Sequence, residues 1–331
     1  MSTPDEAPIR LAGEHLEVRL DPRRGGEFQH IGRPAGSNVL AYHEWDAPLE
    51  AGRGPHYGST ELDWLSQYHA GWQVLFPNAG AESTVEGVPV AFHGELSLAA
   101  MEVLESTDTE CVLRGVARLP LSLTRRIRLS PDRAALLIEE TAKNLGSRRV
   151  PFLWGHHPTF PAIPGSRIDL PAGRVEVEPR TPGPLSLESG RWPRLRDRAG
   201  AEVAADTIPG EEQVRLLYLP DLEEHWAALR APLGSEAPTV ALSWDGATFP
   251  HLWLWLQNAD PGFPWYGRAR MIGLEPQRSW PFDGLAPAME RGQALWLDPG
   301  AETTSWITLS LVAATDRRVT GVTRSGDVSY A

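Results

Sequence analysis

The chain has 331 residues, and its 31 basic and 43 acidic side chains give a net charge of −12 at pH 7, which argues against nucleic acid or an anionic membrane surface as a partner. Cys111 is the single cysteine, so an intramolecular disulfide and a cysteine-based metal cluster are both excluded. No apolar run approaches the length of a membrane span, and the start of the chain lacks the pattern of a secretory signal, so we expect a cytoplasmic protein.

Segments in which apolar and polar residues alternate dominate the chain and predict β-strands. In chain order they are HLEVRLDP (15–22), the run 111–144 with a turn at 130–132, SRIDLP (166–171), RVEVEP (174–179), TVALSWDG (239–246), HLWLWLQ (251–257), RMIGLEP (270–276), QALWLDPG (293–300) and TTSWITLSLVA (303–313). The 31 glycines and 30 prolines interrupt these segments at short intervals. This pattern predicts an all-β fold, a large antiparallel sandwich or barrel.

Helical patterns are scarce, and DLEEHWAAL (221–229) is the segment that we predict as a short helix. The segment 179–209 is rich in Pro, Gly and Arg and still carries apolar residues, so we interpret it as an excursion between strands. We therefore predict a single domain over 1–331, with a core at about 9–315 and frayed ends of roughly the first eight and last fifteen residues.

The sequence GHHPTF (155–160) places two adjacent histidines before a proline. Because successive side chains of a strand point to opposite faces, His156 and His157 cannot both face one site. Pro158 restricts His157 to extended backbone and offers no N–H, so we expect the strand to end there. Two interpretations stay open at this point: a strand end with one buried and one exposed histidine, or an imidazole that works in a site.

Glu275 follows an apolar segment and directly precedes Pro276, so it also lies at a predicted strand end. Side chains held at strand ends suit an acid–base pair, and His157 and Glu275 are our candidates for one. The alternative for Glu275 is a rim carboxylate in a salt bridge with Arg278 or Arg270.

Thirteen tryptophans stand out in the composition. Alternation in HLWLWLQ puts Trp253, Trp255 and Gln257 on one face of a strand and three leucines on the other. Flat aromatic rings beside polar side chains suit sugars, which have apolar C–H faces and a rim of hydroxyls. Most of the thirteen are expected to fill the core. His93, where the segment VPVAFHGELS reaches His-Gly, is on its own a turn histidine.

Four motifs together resemble the aldose 1-epimerase (galactose mutarotase) family over about residues 10–315. They are AGWQVLFPNAG (70–80), FHGE (92–95), ETAKNLGSRRVPFLWGHHPTF (140–160) and IGLEPQRSWPFDGL (272–285). The resemblance implies a galactose mutarotase-like supersandwich. It also implies an isomerase that interconverts the α and β anomers of a free aldose by acid–base ring opening, without a metal or other cofactor.

The resemblance also implies roles for individual residues. Glu275 becomes the catalytic base and His157, rather than His156, the acid. Because opposite charges favour each other at short range, we expect an ionised Glu275 and a protonated His157, that is, an ion pair. We expect His93, Asn78 and Gln73 to bind the substrate, with His93 in the orienting role that the resemblance implies. We further expect Trp72 or Trp265 to stack on the sugar ring. Ala79 stands where the family usually carries an arginine after the asparagine, so a preference for galactose is not implied.

Three alternatives compete with this hypothesis. A protein of the same fold can bind carbohydrate without catalysis, because fold does not fix function. A metal-dependent sugar isomerase could use His93, His157 and Glu275 as ligands, although H-x-H and H-E-x-x-H spacings are missing. A glycosidase would need a second well-placed carboxylate. We expect a small-molecule sugar as partner, no nucleic acid or membrane, and a monomer or homodimer.

Overall fold

The computed structural model describes residues 8–43, 45 and 56–331. In this part of the chain, strands far outnumber helices, which are α1 (Thr60–Ser66), α2 (Leu285–Glu290) and a 3-10 turn (Pro22–Arg24). The strands are β1 (Ile9–Ala12), β2 (Glu17–Asp21), β3 (Glu27–Gly32), β4 (Trp72–Leu75), β5 (Ser83–Val85), β6 (Val88–Val90), β7 (Glu102–Ser106), β8 (Glu110–Val116), β9 (Leu121–Leu129), β10 (Ala135–Asn144), β11 (Val150–Phe152), β12 (Gly155–Pro161), β13 (Arg167–Asp169), β14 (Arg174–Val177), β15 (Gly190–Arg191), β16 (Arg194–Arg196), β17 (Glu202–Ala204), β18 (Gln213–Leu219), β19 (Trp226–Arg230), β20 (Thr239–Trp244), β21 (His251–Asn258), β22 (Arg270–Gln277), β23 (Leu295–Leu297), β24 (Glu302–Val312), β25 (Val319–Val322) and β26 (Val328–Tyr330).

Two antiparallel sheets build the body of the fold. The large sheet has twelve strands in the order β1-β2-β3-β4-β12-β22-β21-β18-β14-β15-β16-β17, and the small sheet has eight in the order β13-β19-β20-β24-β10-β9-β8-β7. Three two-stranded ladders, β5-β6, β11-β23 and β25-β26, complete the described part. The predicted all-β antiparallel sandwich is confirmed.

The main core lies between the two sheets. Leu252, Leu254 and Leu256 of β21 are buried in the same apolar cluster as Ile307 and Leu309 of β24, which belongs to the small sheet. Full burial of such a side chain stabilises the fold by about 1.5–3 kcal/mol. The alternate positions of β21 point to the other face of the large sheet, as the sequence predicted, and this face carries a cavity lined by tryptophans.

The prediction of a short helix at 221–229 is wrong. Residues from Trp226 onward form β19, which pairs with β13 on one side and β20 on the other. Both faces of this strand are buried, so apolar residues stand at consecutive positions instead of alternating: Trp226, Ala227, Ala228 and Leu229. Pairing within the sheet overrides the helix propensity of the segment. The excursion at 179–209 contributes β15, β16 and β17, which extend one edge of the large sheet.

The predicted strand end at Pro158 is also wrong, because β12 continues to Pro161. Pro158 pairs with Trp72 of β4. On the other side, β12 pairs with β22 at Gly155 and Gln277 and resumes pairing at Thr159 and Gly273. The proline therefore lies within an interruption of the ladder, where no N–H is required of it.

The C-terminal segment, predicted as frayed, forms the hairpin β25-β26. Val319 is fully buried in a cluster with Trp226, Ala228 and Ala241, and its N–H donates to Asp169 Oδ2 at 2.9 Å. These apolar contacts and this hydrogen bond order the C-terminal segment, although its polar sequence did not predict them. Fraying was also predicted for roughly the first eight residues, and of these only Pro8 belongs to the described residues. No helix in the described ranges has the length and apolar character needed to cross a membrane.

Candidate active site

A tryptophan-lined cavity lies on the face of the large sheet turned away from the small sheet. Its volume is about 190 Å³, and four tryptophans, Trp64, Trp253, Trp255 and Trp265, form much of its wall. Polar side chains enter it from α1, β12, β21, β22 and the loops between strands: Glu61, His93, His157, Thr181, Gln257, Asp260 and Glu275. A small aromatic cavity with a few converging polar groups is the arrangement expected of a small-molecule site.

His157 and Glu275 meet in this cavity. The register of β12 against β22 puts these residues directly opposite each other, within the interrupted stretch of the ladder. His157 Nε2 lies 3.5 Å from Glu275 Oε1, and the two side chains are 6% and 2% exposed. An acid–base pair held on two neighbouring strands is therefore available to a ligand in the cavity.

The predicted ion pair between these residues is not what their surroundings favour. Burial raises the pKa of Glu275 well above its ordinary value, although the Gln277 side chain opposes the shift. Burial also lowers the pKa of His157 to about 3. Both groups are thus held in their uncharged forms, because removing two ions from water costs more than their attraction returns at this separation. These directions favour a carboxylic acid at Glu275 beside a neutral imidazole at His157.

His93 enters the cavity from a strained turn. Its φ is +57° and that of Gly94 is +69°, and a side chain at position 94 would collide with the Phe76 carbonyl. The Gly80 N–H donates to His93 Nδ1 at 3.0 Å, which fixes the ring proton on Nε2. Burial, together with the neighbouring His157 ring, lowers the pKa of His93 well below its ordinary value. His93 is therefore a neutral hydrogen-bond donor rather than a cation.

Trp265 lines the cavity as predicted, and Trp72 does not. Trp72 is fully buried in the core between the sheets, tilted against the Phe28 ring at 5.3 Å, and its indole N–H donates to His156 Nδ1 at 3.2 Å. Its position in β4 directs it to the opposite face from the cavity. Trp72 therefore cannot stack on a ligand in this cavity, contrary to the role predicted for it. Trp255 on β21 offers a ring within the cavity instead.

Gln73 and Asn78 also lie behind the cavity wall. The Gln73 amide donates to Glu27 Oε2 at 2.9 Å and to the Ala70 carbonyl. The Asn78 amide donates at 2.8 Å to the carbonyls of Ala81 and Ala91. The Asn78 bonds tie the loop after β4 to the turn that carries His93, and the Gln73 bonds join β4 to β3 and to the loop before β4. Both residues support the site, and neither lines the cavity, contrary to the direct substrate contacts predicted for them.

His156 occupies the other face of β12, as alternation requires. It is fully buried, and its Nε2 lies 3.0 Å from Glu140 Oε2. Glu140 also accepts from Arg125 Nε at 2.7 Å and from Trp154 Nε1 at 3.1 Å. This buried polar network anchors β12 from behind, so the two adjacent histidines have separate tasks: one faces the cavity and the other holds the strand.

Sequence reasoning missed the contribution of α1. Glu61, Trp64 and Leu65 line the cavity, and Tyr68 follows just beyond the helix, 3.0 Å from His157 Nδ1. Their spacing is that of one helical face, a signal present in the sequence.

The end of β21 and the loop that follows it add two more polar groups to the cavity wall. Gln257 Oε1 is buried without a hydrogen-bond partner among the described residues, and Asp260 follows three positions later. An unpaired amide oxygen inside a cavity is available to a ligand donor, because a buried polar atom is costly when left unpaired.

The described cavity wall contains three carboxyl groups, Glu61, Asp260 and Glu275, and no lysine or arginine. Ala79, which stands where the family described above usually carries an arginine, is buried in an apolar cluster with Leu75 and Leu285. Across the described residues, no group of three or more His, Cys, Asp or Glu side chains has a geometry that could hold a metal ion.

No protein-family profile matches the sequence, and no curated protein matches it. Solved structures do match. The Slr1438 protein of Synechocystis sp. PCC 6803 is 18% identical, with coverage of 95% of this chain and 98% of that one and a TM-score of 0.66. A candidate aldose 1-epimerase of Escherichia coli K12 is also 18% identical, with coverage of 93% and 99% and a TM-score of 0.66.

A galactose mutarotase-like protein from Lactobacillus casei ATCC 334 is 18% identical, with coverage of 92% of this chain and 100% of that one and a TM-score of 0.57. Identities this low carry information about the fold rather than about the reaction. Together with the two-sheet topology, these likenesses establish that this chain has the galactose mutarotase-like β-sandwich fold.

Proposed function

We propose that this chain is an aldose 1-epimerase, which interconverts the α and β anomers of a free aldose. The observation that carries the proposal is the contact between His157 Nε2 and Glu275 Oε1, 3.5 Å apart in a buried aromatic cavity. A proton donor and a proton acceptor side by side, next to tryptophan rings suited to the C–H faces of a sugar, are what anomer exchange requires.

The reaction needs two proton transfers. One group takes the proton of the C1 hydroxyl while the other protonates the ring oxygen O5, and the C1–O5 bond breaks. The aldehyde then rotates about the C1–C2 bond, and ring closure on the other face reverses both transfers. Because each group regains its starting proton state, Glu275 and His157 complete the cycle without a cofactor.

Other residues of the cavity serve binding. The His93 Nε2–H donates to a sugar oxygen, and Gln257 Oε1 accepts from a hydroxyl. Trp255 and Trp265 offer ring faces and edges to the C–H groups of the sugar. The carboxyl groups of the wall, unaccompanied by lysine or arginine in the described part, favour an aldose that carries no phosphate.

Anomer exchange measured by NMR on a panel of neutral and phosphorylated aldoses tests the proposal. The wild-type protein should accelerate exchange of a neutral aldose, and Glu275→Gln should lower kcat by roughly 10²–10⁴-fold. Glu302→Gln is the matched control, since Glu302 is 57% exposed and its partner Lys143 lies 3.5 Å away at the surface.

Two outcomes would count against the proposal. Equal rates in Glu275→Gln and wild type would remove Glu275 from the chemistry. Unaccelerated exchange of every sugar, with sugar binding still measurable, would favour the alternative, a non-catalytic carbohydrate-binding protein of the same fold.

A further inference from the structure

The loop between β21 and β22 lines the cavity and also presents an aromatic ring outside it. Phe263, Pro264 and Trp265 of this loop belong to the cavity wall. Tyr266 follows directly and is 62% exposed, with its ring edge to face against Phe263 at a centroid distance of 6.4 Å. Tyr57, just before α1, meets the Phe263 ring in the same way at 5.5 Å and is 47% exposed. Aromatic surface therefore continues from the cavity wall onto the outside of the molecule.

Hydrogen bonds and an unusual backbone conformation fix the position of Tyr266. Its N–H donates to the Gly262 carbonyl at 2.8 Å, and the Gly267 N–H donates to the Asp260 carbonyl at 2.7 Å. Its φ is +47°, a left-handed conformation that bulky residues rarely adopt and that glycine adopts without strain. The backbone at position 266 therefore gives no reason for a tyrosine, and strain of this kind is characteristic of functional positions.

The cavity has room for one sugar ring. Its volume, about 190 Å³, is below the range of about 300–1,000 Å³ found for pockets that enclose drug-sized ligands. His157 and Glu275 are buried within it, whereas Asp260 and Phe263 of its wall stay partly exposed and so mark its mouth. A sugar whose C1 lies at the buried pair therefore turns its far end toward the mouth, and a unit linked to that end leaves the cavity beside the exposed rings.

A second sugar unit is the ligand that this surface suits. The C–H face of a pyranose packs on a flat aromatic ring, and its hydroxyls need hydrogen-bond partners beside that ring. The two tyrosine hydroxyls and the Asp260 carboxylate supply donors and acceptors there. Single exposed apolar rings are ordinary on a protein surface, but Tyr57 and Tyr266 both contact a ring of the cavity wall, so they extend the site.

We propose that Tyr57, Phe263 and Tyr266 form a second sugar-binding subsite at the mouth of the cavity, so that the preferred substrate is the reducing end of an oligosaccharide. The reducing-end ring occupies the cavity with its free C1 at His157 and Glu275, and the next unit of the oligosaccharide packs on the tyrosine rings. This inference rests on the proposed function for its chemistry and names the substrate class of the same site.

Affinity for matched sugars tests the subsite first. Anomer exchange leaves the composition of an equilibrated sugar unchanged, so titration followed by tryptophan fluorescence measures binding to the wild-type protein directly. Glucose is compared with maltose and cellobiose, and galactose with β-1,4-galactobiose, because each set shares its reducing-end ring. We expect at least one disaccharide to bind about threefold to tenfold more tightly than its monosaccharide, the effect of one added aromatic contact. Equal or weaker binding of every disaccharide would overturn the proposal.

Two substitutions at position 266 assign the effect to the tyrosine ring. Tyr266→Asn removes the ring and suits the left-handed backbone, so the protein should fold, lose the disaccharide advantage and keep its affinity for the monosaccharide. Tyr266→Trp keeps an aromatic ring and should keep the advantage. Trp296→Ala is the matched control for loss of an exposed aromatic residue, because Trp296 is 40% exposed and contacts Arg149, 5.0 Å from its ring centroid, away from the cavity wall. A full disaccharide advantage in Tyr266→Asn would overturn the proposal.

Anomer exchange on the same sugars separates this inference from the proposed function. Accelerated exchange of glucose or galactose, with no gain in affinity or KM for any disaccharide, would count against the subsite alone. Tighter binding of a disaccharide, without accelerated exchange of any sugar, would count against the proposed function alone. The absence of binding for every sugar of the panel would overturn both.

Discussion

Gly273 lies two residues before Glu275 on the same face of β22, and the Glu275 carboxyl group fills the space that a side chain at position 273 would need. A Cβ at this position would lie 3.1 Å from Glu275 Cδ and 3.2 Å from its Cγ, and closer still to Oε1. The reason for a glycine in this strand is therefore the catalytic candidate itself.

Gly273→Ala should displace the Glu275 carboxyl group without unfolding the protein, because the obstructing atoms belong to a flexible side chain. A displacement of about 1 Å from the reacting position can cost roughly 10²-fold in rate. We expect a loss of kcat of that order with an unchanged circular dichroism spectrum. Gly173→Ala is the control, since its Cβ would meet its neighbours at an ordinary 3.7 Å. A full rate in Gly273→Ala would mean that the carboxyl position is not critical.

Glu140 is predicted to matter for stability rather than for catalysis. Burial acts to raise its pKa, but His156 and Arg125 together lower it to about 2. Glu140→Gln leaves the Arg125 guanidinium buried without its counter-ion, which should cost about 3–5 kcal/mol in urea unfolding at pH 7. Glu139→Gln on the outer face of the same strand, where the carboxylate pairs with Arg324 at 2.9 Å, should cost less than about 1 kcal/mol.

The depressed pKa of Glu140 also predicts a pH dependence. A carboxyl group whose folded pKa lies below its unfolded value contributes stability above the unfolded value, near 4.5, and loses it as pH falls toward about 2. The stability difference between wild type and Glu140→Gln should therefore shrink over that window. A difference that stays constant from pH 6 to about 3 would contradict the charge assignment.

His157 should lower stability in mild acid. Its folded pKa, about 3, lies below the ordinary 6.5, so the unfolded chain binds a proton that the folded chain refuses. The cost is absent above pH 6.5 and grows by about 1.4 kcal/mol for each unit that pH falls below it. His157→Gln should remove this slope, and His56→Gln, whose side chain is 84% exposed, should not. Parallel pH profiles for His157→Gln and wild type would mean that His157 titrates normally.

The two tryptophans Trp72 and Trp255 should separate folding from binding. Trp72→Phe loses the indole N–H bond to His156 and part of a packed ring, so we expect a loss of roughly 1–3 kcal/mol in unfolding free energy with sugar affinity unchanged. Trp255→Leu removes an aromatic wall of the cavity and should weaken sugar binding with a smaller effect on stability. Titration with a sugar and urea unfolding of each variant decide between these roles. Weaker binding in Trp72→Phe would restore the stacking role that the sequence suggested.

Local pattern alone correctly assigned much of this fold. Alternation in β21 separated the leucines of the core from Trp253, Trp255 and Gln257, because side chains of a strand alternate between two faces whatever the rest of the molecule does. The same rule required His156 and His157 to lie on opposite faces of β12. The helix predicted at 221–229 was wrong, because strand pairing on both sides makes Trp226–Arg230 the strand β19.

What the sequence by itself determined is therefore the class of the fold and the residue types of the site: an antiparallel β-protein with a histidine and a glutamate as its candidate acid–base pair. The tertiary structure decided which side chains share a cavity and how deeply each titratable group is buried. Alternation in the sequence put Trp255 of β21 on the face opposite the core leucines, but only the folded sheet showed that Trp72 of β4 faces the core and not the cavity. An ion pair between His157 and Glu275 was reasonable from charge alone. Burial overrides it, because desolvation depends on every atom that the fold packs around a group and not on the identity of its partner.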